Sequence, residues 1–330
     1  MQETHLNLLK EVLSVRTKTR FEKNMIEYLA KYLTNKGISF EIDHMGNVYA
    51  TKGAAEFFPC VIAHTDTVHD HTKALNVIEK KGKRPYTFGK KFNDTEDRLL
   101  LTGVDNHGDP SGIGGDDKCG VYTCLRLLDV FDNIKAAFFV SEETGCWGSK
   151  QAKPEFFANV GWSIQFDAPG NHLITENCSG IRLFDRQSEF FQKAFNVLSK
   201  YGIDDCQTHP YTDIKEVKIK FGHSCINISC GYYQMHSPIE FVDVDDVEMT
   251  VIAATELINT LGNKLYEFKY DYVAEQRKHQ KAYEEQMREM QKKEEKFKKS
   301  LYKYLKKNYK SLPEELKEYV DEYEMFAEFF

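Results

Sequence analysis

The sequence predicts a three-layer α/β/α sandwich around a mostly parallel sheet, followed by a charged helical extension. Three observations carry that reading. Apolar runs of four or five residues stand at 60–63, 136–140, 162–166 and 226–230, and stretches of helical periodicity at 121–131, 190–198 and 244–261 lie between and after them. Polar clusters follow the runs directly. Strands buried on both faces read as continuous apolar runs, and a sheet made of them needs helices on both sides.

Taken in chain order, residues 6–13 and 21–33 place apolar side chains three and four apart, the spacing of two amphipathic helices. Residues 38–42 and 48–50 then read as a hairpin turning through Met45, Gly46 and Asn47. The 52 positions from His64 to Asp116 hold residues 85–88 and 99–102, enough for a hairpin but short for an independent domain. Further on, residues 217–221 and 226–230 read as strands, with a helix near 190–198 before them and one over 244–261 after them.

Composition changes sharply near Gly262. Residues 1–264 carry 29 basic and 36 acidic side chains; residues 265–330 carry 15 of each, no glycine and one proline. The neutral total of that tail hides a basic stretch over 275–310, with 13 basic and 6 acidic residues, and an acidic one over 311–330, with 1 and 7. Tyr283, Met287, Met290, Phe297, Leu301 and Tyr304 form a narrow stripe at helical spacing. Ser311-x-x-Glu314 reads as a capping box opening a second helix, with Pro313 in its first turn. We divide the chain into an α/β domain over 1–264 and an amphipathic helical tail over 265–330, whose stripe can pack on the body, on another copy of the chain or on a partner.

With 41% hydrophobic and 29% charged residues in 330, the composition is that of a globular protein. A net charge of −7 argues against binding a nucleic-acid backbone, which needs positive surface. No apolar stretch has the length of a signal-peptide core or a membrane span, so a cytoplasmic location is expected. Eight cysteines without a Cys-x-x-Cys pair read as reduced, small hydrophobes.

The chemistry stands after the runs. Residues 60–63 lead into His64-Thr65-Asp66, 136–140 into Ser141-Glu142-Glu143, 162–166 into Asp167, and 226–230 towards His236. Gly114-Gly115-Asp116-Asp117-Lys118 opens the helix near Val121. Ligands of open α/β sheets bind outside the carboxyl ends of the strands, so these groups can converge. Two histidines and several carboxylates, without a thiolate, suit Zn²⁺, or Co²⁺ or Mn²⁺ in its place. Glu-Glu pairs also occur at 284–285, 294–295 and 314–315, where a solvated helix face accounts for them.

In five ordered motifs the chain resembles the co-catalytic di-zinc exopeptidases that include peptidase T, carboxypeptidase G2 and related aminopeptidases. These are His64-Thr65-Asp66-Thr67-Val68, Gly115-Asp116-Asp117-Lys118-Cys119-Gly120, Ser141-Glu142-Glu143-Thr144-Gly145, Asp167, and His236-Ser237-Pro238-Ile239-Glu240. The resemblance covers residues 5–262. It implies two Zn²⁺ per chain, with Asp116 bridging them, His64 and Asp167 completing one site, and Glu143 and His236 completing the other. It also implies that Asp66 fixes the His64 imidazole and that Glu142 is the general base, taking a proton from water and returning it to the leaving amine. Asp117 and Lys118 belong to the motif without an assigned role.

Relatives of the peptidase T type insert a lid domain between the positions of Asp167 and His236. Only 69 positions separate those residues here, so the lid is expected to be missing. An oxyanion donor must then come from elsewhere, and His223, His209 and Tyr211 are the candidates. Aspartate at the Asp167 position is more usual among aminopeptidases and dipeptidases, which implies removal of N-terminal residues from short peptides. The alternatives are an N-acyl amino acid amidohydrolase on the same scaffold and a non-catalytic assembly protein with a structural metal site.

Overall fold

In the computed structural model, which describes residues 1–71, 75–84, 96–209, 211–269, 272–314, 316, 317 and 320, two helices open the chain. Helix α1 (Glu3–Ser14) buries Leu9, Val12 and Leu13, and α2 (Lys23–Asn35) buries Met25, Leu29 and Leu33, the faces that their periodicity predicts. Strands β1 (Ser39–Ile42) and β2 (Val48–Lys52) pair antiparallel as the expected hairpin. Asp43 Oδ1 accepts the amides of Met45, Gly46 and Asn47, so the turn is built by one carboxylate.

The chain continues through β3 (Phe58–His64), β4 (Asn76–Gly82), β5 (Arg98–Val104), α3 (Gly115–Val130), β6 (Ile134–Phe139), α4 (Trp147–Lys150) and α5 (Pro154–Phe157). Then come β7 (Val160–Ala168), β8 (Leu173–Cys178), β9 (Ile181–Arg182), α6 (Glu189–Leu198), β10 (Asp205–His209) and α7 (Asp213–Phe221). Strands β11 (Ser224–Ser229), β12 (Tyr232–Tyr233) and β13 (Phe241–Asp243) lead to α8 (Val244–Leu261) and α9 (Tyr272–Lys307).

The main sheet has the order β1-β2-β6-β3-β7-β11-β8-β10, with β9 paired to β8. Its centre, β6-β3-β7-β11, is parallel. Every residue of these four strands is buried, which is why each reads as a largely apolar run, and its interior polar side chains, Lys135, Ser163, Gln165 and Asn227, are hydrogen-bonded. Trp162, Phe138, Phe139 and Phe166 fill the core between sheet and helices, and the Trp162 indole N–H donates to the Gly262 carbonyl at 3.0 Å. Antiparallel outer strands make the sheet mixed, and it is flanked by helices as expected.

The stretch between His64 and Asp116 forms the β4–β5 hairpin, half of a small antiparallel sheet ordered β12-β13-β5-β4. Residues 85–88, which the sequence placed in that hairpin, lie outside the described residues. Arg98 bonds both Asp243 and Asp246, and Arg84 bonds Asp246, so the small sheet is tied to the capped N-terminus of α8.

Two expectations are corrected. Residues 217–221 are the last two turns of helix α7, not a strand. Ser311 donates its hydroxyl to the Asn308 carbonyl at 2.8 Å, closing a 3₁₀ turn over Tyr309–Ser311 instead of capping a helix ahead of it. Most of the following acidic stretch lies outside the described residues.

The chain divides into two compact units, Met1–Tyr270 and Asp271–Phe330. The first ends six residues later than the sequence boundary at 264 because Tyr266 is buried, donates its amide to Gly161 and accepts from Ser224, while Phe268 donates to Gly222. Within the second unit, α9 exposes Tyr283, Met287, Met290, Phe297 and Tyr304. All eight cysteines are free thiols, and among the described residues no helix is long and apolar enough to cross a membrane.

Candidate metal centre

Parallel strands end on the same edge of a sheet, and here that edge collects the polar residues. His64 is the last residue of β3, Asp167 is next to last in β7, and Ser141-Glu142-Glu143 follow β6. Asp116 stands in the first turn of α3, and His236 sits in the loop between β12 and β13 with a left-handed backbone, φ 59°.

Asp116 is the centre of the arrangement. Its Oδ1 lies 3.1 Å from His64 Nε2, which is also 3.7 Å from Asp167 Oδ1. Its Oδ2 lies 3.3 Å from His236 Nε2, which is also 3.1 Å from Glu143 Oε2. One carboxylate thus turns each oxygen towards a different histidine-carboxylate pair. Two sets of imidazole and carboxylate ligand atoms fall within 4.8 Å of one another, His64/Asp116/Glu143 and His64/Asp117/Asp167. Asp117 is already engaged: its oxygens accept the amides of His64 and Gly120. Asp116 is the carboxylate left to be shared. Glu143 Oε1 is buried with no hydrogen-bond partner, an orphaned acceptor of the kind a cation satisfies.

The supporting residues explain why the geometry holds. Asp66 Oδ1 lies 3.3 Å from His64 Nδ1, and the same carboxylate accepts the amides of Glu142 and Glu143. It therefore holds the neighbouring glutamate pair by hydrogen bonds and sets a carboxylate charge against the His64 ring. Asp167 accepts from Thr212 Oγ1 at 2.5 Å, Tyr232 OH at 3.2 Å and Gln165 Nε2 at 3.3 Å. Glu22 receives both the amide and the hydroxyl of Ser141, holding the turn that presents Glu142. Glu22, Thr212 and Tyr232 carry no motif signal, and sequence reasoning passed over them.

These contacts set the charges. Burial alone would depress the His64 imidazole, but the hydrogen bond to Asp116 and the nearby Asp167 and Asp66 carboxylates raise it well above its ordinary value. Hydrogen bonds to Asp116 and Glu143 push His236 up to about 10. Burial works to raise Asp116, yet hydrogen bonds from His236 and His64 hold it well below the carboxylate range. For Glu142, burial comes first and the Asp167, Asp213 and Glu143 charges add to it, so its carboxyl is raised well above the usual value.

Glu142, Asp116, Glu143, Asp167 and His236 open into a cavity of about 390 Å³ whose walls include Val68, Leu173, Ile174 and Met235. His209 and Tyr211 line it too, and the Tyr211 hydroxyl donates to the Glu143 carbonyl at 3.4 Å. His223 does not. It precedes β11 and so stands at the opposite edge of the sheet, buried, with Nε2 2.7 Å from Ser163 Oγ and its ring beside the stacked pair Phe157 and Phe221, whose ring centres lie 6.5 and 6.4 Å away. The sequence reading of His223 as an oxyanion donor is therefore corrected.

Burial lowers the His223 imidazole to about 3, so the folded chain holds it neutral while the unfolded chain takes up a proton near 6.5. Its contribution to stability is complete above pH 6.5 and falls as the pH drops towards 3, where the unfolded state binds the extra proton. A His223→Phe variant will keep kcat/KM unchanged, and urea melts will show its stability relative to the parent improving from pH 7 to pH 4.5.

The sequence matches no family model and no curated protein. Solved structures do match. The aminopeptidase PepT from Bacillus cereus ATCC 10987 superposes with a TM-score of 0.64 at 14% identity, over 79% of this chain and 99% of its own. The chain has the fold of an aminopeptidase. A tripeptidase from Staphylococcus aureus subsp. aureus Mu50 gives 0.62 at 12%, covering 77% and 96%, and the Pyrococcus horikoshii TET1 peptidase gives 0.53 at 16%, covering 79% and 100%.

Proposed function

We propose that the chain is a metal-dependent exopeptidase that removes N-terminal residues from short peptides. The observation that carries this is Asp116 shared between two histidine-carboxylate sets, with Glu142 beside it in a cavity, on a fold that solved aminopeptidases share. The donors fit two divalent cations, with Zn²⁺ the natural occupant and Co²⁺ or Mn²⁺ able to replace it. His64, Asp116 and Asp167 would hold one, and Asp116, Glu143 and His236 the other. Bound there, such a pair polarises the scissile carbonyl and activates water at neutral pH.

The chain's own residues supply the rest. Glu142 accepts the proton of the attacking water and returns it to the leaving amine, and its raised pKa is the direction this role needs. His209 Nδ1 donates to the Tyr211 carbonyl at 3.1 Å, which leaves the neutral ring's other nitrogen without a proton. The Tyr211 hydroxyl would then serve the developing oxyanion by turning its proton from the Glu143 carbonyl, to which its bond is long at 3.4 Å.

The test is a panel of di- and tripeptides, free and N-acylated, with protein reconstituted with Zn²⁺, Co²⁺ or Mn²⁺. Metal-dependent release of N-terminal residues is expected. Cleavage of acylated compounds alone would move the reading to an amidohydrolase, and no turnover by metal-loaded protein would leave the assembly role as the better account.

We assign the work to the cytoplasm, consistent with eight free thiols. The exposed stripe on α9 repeats Tyr283, Met290, Phe297 and Tyr304 every seven residues, with Met287 beside it, a seam against which a second copy of the helix would pack. Sedimentation should therefore show an oligomer that dissociates when Met287, Met290 and Phe297 are changed to glutamate. The Pyrococcus horikoshii TET1 peptidase itself assembles into a tetrahedron or a large octahedral shell.

A further inference from the structure

We propose that Glu240, braced by His69, is the positioning residue that holds the Asp116 loop in register with the two histidine loops. The proposal rests on the metal reading of the site. Glu240 is fully buried and is not itself placed to bind an ion, because both its oxygens are taken. Oε1 accepts the amide of Asp116 at 3.1 Å; Oε2 accepts the amide of Gly114 at 2.8 Å and lies 2.6 Å from His69 Nε2.

One side chain therefore joins three segments. His69 lies five residues beyond His64, Asp116 follows the gripped glycines, and Glu240 itself lies four residues beyond His236. A main-chain bond from the Gly112 amide to the Pro238 carbonyl, 2.9 Å, runs alongside. The loop has no slack elsewhere. A Cβ on Gly112, at φ +69°, would sit 2.3 Å from the His69 ring, and one on Gly115 would sit 2.7 Å from Tyr232 Cβ. With the backbone enclosed on those sides, the aim of the Asp116 carboxylate depends on the acceptor that fixes the Asp116 amide.

The residue type follows from the task. Two inward-facing amides need two acceptor oxygens, which a carboxylate offers and a carboxamide does not. In Glu240→Gln the side-chain NH₂ must face either the Gly114 or the Asp116 N–H, donor against donor. Aspartate, one methylene shorter, would have to draw two loops together to reach both.

The experiment uses full-length protein stripped of metal and titrated with Co²⁺, read by visible absorption and calorimetry, with kcat and KM on a cleaved peptide and circular dichroism to verify folding. Glu240→Gln is expected to bind Co²⁺ about 10–100-fold more weakly, to alter the visible band, and to lower kcat with little change in KM. His69→Gln, which leaves both amide bonds in place, is expected to move the same readouts by less. A folded Glu240→Gln with parental affinity, spectrum and kcat would overturn the proposal. If Glu240→Gln does not fold, His69→Gln decides: parental affinity and spectrum overturn it, and weakened binding with a shifted band supports it. A parent that takes up no Co²⁺ would remove the metal reading and this proposal together, whereas a metal-loaded, active parent matched by both variants would remove this proposal alone.

Discussion

Changing Glu142 to glutamine will lower kcat by about 10²–10⁴-fold while the protein still takes up two cations. The substitution keeps size and shape. The Glu142 amide still bonds Asp66 Oδ1 at 3.0 Å, and Glu143, which bears the ligand oxygen, is untouched. What disappears is a group that can take a proton from water and give it to the amine. KM should change little, because the carboxamide occupies the same volume of the cavity wall. Turnover by a metal-replete Glu142→Gln at more than a tenth of the parental rate would place the base elsewhere, and the buried Asp213, pushed up to about 8 chiefly by burial, would be the next residue to change.

The second large effect is on Asp116. Asp116→Ala removes the member common to both donor sets, leaving His64 with Asp167 on one side and His236 with Glu143 on the other. Two ligands do not make a closed site for Zn²⁺, which takes three or four protein donors. Metal content is expected to fall below one per chain and peptide hydrolysis to become undetectable. A calorimetric readout separates this from misfolding. Zn²⁺ at about a thousand times its Kd stabilises the parent by about 4 kcal/mol, a rise in Tm that Asp116→Ala should lack. A variant that still melts higher with Zn²⁺ and carries two ions would show that Asp117 serves as the shared ligand instead.

The strands that build the site were legible because β3, β6, β7 and β11 are buried on both faces and therefore mostly apolar, with buried polar residues such as Gln165 and Asn227 interspersed. Their ligands were legible for a related reason, since each stands where an apolar run breaks into charge. Helix α7 was not. Residues 217–221 alternate apolar and lysine, the period of a strand, yet Lys218 is buried with its ammonium on the His223 carbonyl at 2.9 Å, so the apolar pattern misstates which side faces inward. His223 was misplaced because the sequence says that it is near a strand and not that it lies at the wrong end of it. Glu22, Thr212 and Glu240 act by accepting or donating hydrogen bonds across 45 to 126 positions of chain, a relation that no local pattern encodes. The extent of the first unit depended on Tyr266, whose burial against Gly161 and Ser224 only the fold reveals.

The proposed ligands enter the site from positions 64, 116, 143, 167 and 236, so two-thirds of the chain must leave the ribosome before the last is present. His236 is further held in a loop flanked by β12 and β13, which among the described residues pair only with each other and with β5. On the proposed reading, a nascent or partly folded chain lacks a complete cation site, and hydrolytic power would arise only when the last pieces dock.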